Sequence, residues 1–94
     1  MKKLLPIGSV VLVKESTKRL MLVGRYQRDA SPERRIWDYS ACLYPEGILN
    51  PEQLFLFNND AIEQVFFLGF QDGEEFDYIR RLETEAADFM EATR

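Results

Sequence analysis

The first apolar run of the chain, Val10-Val11-Leu12-Val13, is short and mostly β-branched, with Pro6 before it and the polar group Glu15-Ser16-Thr17-Lys18 after it. That pattern predicts a strand over Gly8 to Lys14 that leads into a hairpin. The return strand is expected from Arg19 to about Tyr26 and again holds a continuous apolar run, Leu20 to Val23. Continuous runs in place of alternation mean that both faces are covered, as in a tightly rolled sheet or beneath a helix.

Gln27 to Arg35 is polar, with Ser31-Pro32 at its middle, and is the one connection long enough to be mobile. Ile36 to Leu43 alternates, with Trp37, Tyr39, Ala41 and Leu43 on one face and Asp38, Ser40 and Cys42 on the other, which predicts a half-exposed strand. Tyr44-Pro45-Glu46-Gly47 has proline second and glycine fourth, as a type I turn prefers, and Leu54 to Phe57 resumes as strand. Asn58-Asn59-Asp60 caps a single helical turn at most. A fifth apolar run, Val65 to Phe70, follows, with Gly69 marking a bulge or a close backbone approach.

Asp72-Gly73-Glu74-Glu75 fits a capping box, Asp72 accepting from the Glu75 amide and Glu75 reaching back. The helix expected from it runs over 73–92, with Phe76, Ile79, Leu82, Ala86, Phe89 and Met90 on one stripe and acids over much of the rest. The stripe is expected to pack on the chain's own sheet, since otherwise Phe55, Phe57, Phe66 and Phe67 would be poorly covered. The reading is one α+β domain over 1–94. About five antiparallel strands within 1–70 form a rolled, SH3-like or meander sheet, followed by one C-terminal amphipathic helix.

Composition narrows the function. Ninety-four residues suffice for one modest core, and seven Phe and four Tyr argue against disorder. The lone Cys42 excludes an internal disulfide. Residues 1–7 are too broken by Pro6 for a signal peptide, and no stretch reaches the roughly 20 apolar residues of a membrane span, so a cytoplasmic protein without a membrane partner is expected. The net charge of −4 hides a division: residues 1–35 sum to +6, residues 36–70 to −5 and residues 71–94 to −5. Such asymmetry marks either a steered partner surface or segments that face one another in the fold.

The chain has no histidine, which removes the commonest general base and every Ser-His or Cys-His nucleophile. Its carboxylates cluster on a capped, solvated helix, where nothing suggests the burial that would raise a pKa. No catalytic residues are therefore assigned. The acidic stretch Asp72 to Asp77 lacks the glycine position and alternating ligands of a calcium loop, and one cysteine without histidine does not make a zinc site. No phosphate loop or dinucleotide glycine pattern is present, so neither a metal nor a cofactor is expected. The alternative is a small nucleic-acid-binding or regulatory β-barrel, which would use Lys14, Lys18, Arg19, Arg25, Arg28, Arg34 and Arg35 around Tyr26, Trp37 and Tyr39. The acidic balance and a pI near 4.8 disfavour nucleic acid.

Four segments carry a resemblance over nearly the whole chain: Leu5 to Leu12, Arg19 to Arg25, Trp37 to Gly47 and Leu56 to Phe70. With its Leu43-Tyr44-Pro45-Glu46-Gly47 element the sequence resembles the domain of unknown function 4176 family, small proteins found mainly in Firmicutes. Trp37 stands where that family more often has tyrosine. The resemblance implies an accessory role, as chaperone or targeting factor, beside type VII secretion genes. The partner it implies is an LXG-type secreted effector or a small helical secretion protein. It brings no catalytic residues.

In physical form, the partner surface expected is an aromatic patch on the third strand and its turn, made of Trp37, Tyr39, Tyr44, Pro45, Glu46 and Gly47. Alternation fixes which residues share a face but not where that face points, so Trp37 and Tyr39 fit the sheet core equally well, with Asp38 and Ser40 then exposed. Either a monomer or a homodimer is compatible with these patterns.

Overall fold

The computed structural model describes the backbone of residues 4–92 and the side chains of residues 4–85. Five strands are joined in chain order: β1 (Val10–Val13), β2 (Leu20–Arg28), β3 (Ile36–Leu43), β4 (Phe55–Phe57) and β5 (Ile62–Phe67). A single 3₁₀ turn, Asn59–Ala61, separates β4 from β5, and the helix α1 (Gly73–Ala92) follows. All pairings are antiparallel, in the order β4-β3-β2-β1-β5.

That order explains the shape. β1 to β4 are a meander, but β5 pairs with β1 at the edge opposite β4. In a flat sheet the two edges would lie four strand spacings apart, about 19 Å. Only Asn58 and the 3₁₀ turn join them, and such a turn rises only about 2 Å per residue. The sheet therefore rolls, remaining open between β4 and β5, which do not pair. Side chains brace the corner: the Asn58 carboxamide accepts from the Asp38 amide at 3.1 Å, and Asp38 Oδ2 accepts from the Asn59 amide at 2.8 Å. The Lys14 amide donates to the Ala61 carbonyl.

Inside the roll, Leu4, Val11, Leu20, Leu22, Tyr39, Ala41 and Phe57 form the buried core. The β2–β3 register slips by one residue between Leu22 and Gly24, so Val23 is an extra residue on β2. Because side chains alternate, this bulge reverses the parity of the rest of the strand. Arg25 thus comes to lie opposite Tyr39 and is buried, whereas unbroken alternation from Leu20 and Leu22 would have turned it outward. Gly24 allows the bulge to close, since a Cβ there would lie 2.4 Å from Ser40 Oγ.

Several expectations are corrected. β3 is not half exposed: Asp38, Tyr39, Ser40, Ala41 and Cys42 are all buried. The face holding Asp38, Ser40 and Cys42 is covered by the braced corner, by β2 around Gly24 and by the loop after Gly47. β5 begins three residues earlier than expected and ends at Phe67. Its register shifts against β1 fall at Phe66 and Glu63, whereas Gly69 is a close approach, with room for a Cβ blocked by the Ile7 carbonyl oxygen at 2.0 Å. Tyr44-Pro45-Glu46-Gly47 does not close as a type I turn, because the Gly47 amide donates to the Leu43 carbonyl at 2.8 Å and not to that of Tyr44; the Tyr44–Pro45 peptide is cis. Gly47 has φ of +84°, a conformation that glycine adopts freely.

The helix is where it was expected, but only half of the capping box forms. Asp72 Oδ1 accepts from the Glu75 amide at 3.0 Å, while the Glu75 carboxylate turns to Arg25. Over its described side chains the helix covers the sheet less than expected. Its described contacts with the body run through Glu75, Tyr78 and Ile79. Phe57 is buried by the roll itself, but Phe55, Phe66 and Phe67 stay 44–62% exposed, as does Phe76 on the helix at 48%. The expected stripe residues Ala86, Phe89 and Met90 lie outside the described side chains.

Candidate interaction surface

The six expected site residues do not form one patch. Tyr39 is fully buried, its ring centroid 5.8 Å from that of Phe57, and is removed from the surface. Its hydroxyl donates to Asn59 Oδ1 at 2.7 Å and accepts from the Leu5 amide at 2.9 Å, so it ties the N-terminal segment to the corner. Burial raises its pKa above that of a free phenol.

Trp37 and Tyr44 lie seven residues apart along an extended strand, roughly 20 Å. Trp37, the second residue of β3, packs against the β2–β3 loop, where its indole N–H donates to Asp29 Oδ2 at 3.0 Å and the Arg35 guanidinium lies 4.3 Å from its ring centroid. Asp29 also accepts from the Ser31 hydroxyl and from the Ser31 and Arg35 amides. The Ser31 hydroxyl first, then the Trp37 indole, pull its pKa down to about 2. The segment read as a mobile connection is thus organised around one carboxylate.

At the other end of β3, Tyr44, Pro45 and Glu46 are exposed and Gly47 is half-buried. Glu46 pairs with Lys18, Nζ to Oε1 2.8 Å, and that bond holds its carboxyl below the usual range. Beside this pair the Tyr44 amide donates to the Arg19 carbonyl at 3.1 Å. The Arg19 guanidinium lies 5.6 Å from the Tyr44 ring centroid and 5.5 Å from that of Phe66. Val10, Met21, Tyr44, Phe66 and Phe67 line, with Arg19, an open groove of about 410 Å³. Of the aromatic residues in its walls, Tyr44, Phe66 and Phe67 are 40–62% exposed.

Register accounts for the groove. Val10 faces Met21 on one side and Phe67 on the other, and Met21 faces Cys42, so these residues share the outer face of the sheet. The register shift on β5 leaves Phe66 as an extra residue beside Phe67, and such bulges redirect side chains. Arg19, Met21, Phe66 and Phe67 were not among the expected site residues. The available signal was the length of the run Val65 to Phe70, more apolar than an edge strand needs.

Among the described residues no group of three or more His, Cys, Asp or Glu is placed to hold a metal ion. None of their helices is long and apolar enough to cross a membrane. A small α+β domain, rolled sheet before helix, with an aromatic groove on the sheet's outer face is therefore the class that fold and surface define. The chain belongs to the domain of unknown function 4176 family, whose model matches residues 4–78, from the buried Leu4 through the first turns of α1. No curated protein and no solved structure matches the chain.

Proposed function

We propose that the protein is a non-catalytic interaction module, a cytoplasmic accessory that serves type VII secretion effectors as chaperone or targeting factor. The observation that carries the interaction reading is the uncovered apolar surface that Tyr44, Phe66 and Phe67 make in the groove. Contiguous exposed apolar area of this kind on a soluble domain marks a site for a partner. The secretion role rests on the resemblance to the family. The nucleic-acid reading is weaker, because Trp37, its main stacking face, is occupied by Arg35 and tied to a carboxylate.

The test is affinity capture of the tagged chain from its native host, with wild type and Tyr44→Ala in parallel. The reading expects a secreted effector, or a small helical protein encoded beside it, with wild type and much less with the variant. Recovery of nucleic acid that high salt removes would overturn it.

A further inference from the structure

We infer that the groove between Arg19, Tyr44 and Phe66 receives an acidic, apolar segment of the partner protein, with Arg19 meeting its carboxylate. This rests on the interaction reading above and names the chemistry of the partner.

Of the described residues that line the groove, Arg19 is the one that carries a charge. Its guanidinium lies within cation–π reach of two aromatic rings, 5.6 Å from the Tyr44 centroid and 5.5 Å from that of Phe66. Among the described residues it makes no ion pair, and Glu46, the acid of the adjoining turn, is held by Lys18. A guanidinium so positioned keeps its N–H edge for a planar acceptor, and a carboxylate matches that fork with two parallel bonds. The two rings also limit its rotamers, which lowers the ordering cost of such a contact.

The rest of the lining selects what carries the carboxylate. Val10, Met21, Phe66 and Phe67 offer no charge, so apolar side chains of the ligand would replace water along the walls. A polyanion would need several cations along its path, and the groove supplies one. The charge division of the chain acts in the same direction, since the +6 segment, residues 1–35, supplies β1 and β2 of this face. The described contacts of α1 with the body run through Glu75, Tyr78 and Ile79, none of which lines the groove, so the described side chains of the helix leave it open.

A photo-crosslinking experiment in the native host separates this inference from the reading beneath it. Benzoylphenylalanine is placed at Phe67, in the groove and 62% exposed, or at Leu49, outside it and 72% exposed. Illumination is expected to give an adduct from position 67 and not from 49. The adduct should map by mass spectrometry to a partner segment with Asp or Glu beside aliphatic or aromatic residues. Arg19→Gln and Arg19→Glu are expected to lower the adduct yield about tenfold or more, the cost of one charge-assisted bond. Thermal melting of both variants checks that the fold is kept. Lysine at the partner's acid should restore capture by Arg19→Glu. An adduct from position 49 alone would overturn the groove and leave the interaction reading standing. Capture of a second copy of this chain, or yields indifferent to Arg19, would also overturn the inference. Absence of any adduct at both positions would count against both readings.

Discussion

Arg25 and Glu75, fifty residues apart in sequence, meet in a two-pronged ion pair that joins the sheet to the helix. One prong, Nη2 to Oε1, measures 2.9 Å, and Nη1 also donates to the Leu5 carbonyl at 3.4 Å. The side chains are only 4% and 14% exposed, so neither charge can be well hydrated if its partner is removed. Tyr78, one turn along the helix, lies 5.5 Å from the guanidinium.

Removing one member of this pair should therefore cost much more than a surface salt bridge does. Glu75→Ala is expected to lower unfolding free energy by about 3–5 kcal/mol in urea denaturation. The joint replacement Arg25→Met with Glu75→Leu should recover most of that loss, because it leaves no uncompensated charge. Equal stability of the single and joint variants would contradict this account.

Tyr39→Phe keeps the ring in the core but strands the Leu5 amide and Asn59 Oδ1. A loss of about 1–3 kcal/mol is expected, with faster hydrogen exchange at Leu5. A variant as stable as wild type, with Leu5 still protected, would remove Tyr39 from its role as the tie.

Asp29 gives a pH test of the β2–β3 loop. Its pKa is lowered from 3.8 to about 2, so the folded value lies below the unfolded one. Its contribution is therefore fully present above about pH 4 and is lost as pH falls toward 2. The Trp37 indole proton resonance, followed by NMR, should shift with a midpoint near the lowered value and lose that shift in Asp29→Asn. A midpoint at 3.8 would show that the carboxylate is not so bound.

Two glycines should respond with opposite sign to alanine. At Gly69 an added Cβ meets the Ile7 carbonyl oxygen at 2.0 Å, so Gly69→Ala should be strongly destabilising. At Gly73, the first residue of α1, nothing lies within 4 Å, so Gly73→Ala should raise stability by up to about 1 kcal/mol. Thermal melts of the two variants decide it.

These residues also show where sequence reasoning reached its limit. The five strands, the bounds of β3 and those of α1 follow from local patterns, because runs, turns and caps are short-range features. The direction of Arg25 does not, since one extra residue at Val23 reverses every side chain beyond it and only the register shows the slip. Whether Tyr39 faces the core stayed open for a related reason: a strand covered on both faces can alternate like a half-exposed one, and Asp38 is buried through hydrogen bonds at the corner. Glu75 fits a capping box by spacing, yet a partner fifty residues away holds it. The candidate surface was half visible, its Tyr44 end through the turn motif, while the Arg19 and Phe66 side depends on β5 returning beside β1.

The central claim is that this domain acts by binding a protein through the outer face of its sheet. The most direct measurement is co-expression with the neighbouring open reading frames, followed by size-exclusion chromatography with light scattering at low and high salt. The account predicts a stable complex with an effector or a small helical protein, lost in Phe67→Ser although that variant alone melts like wild type. A chain that elutes alone with every neighbouring product, or a complex indifferent to Phe67→Ser and Tyr44→Ala, would contradict it.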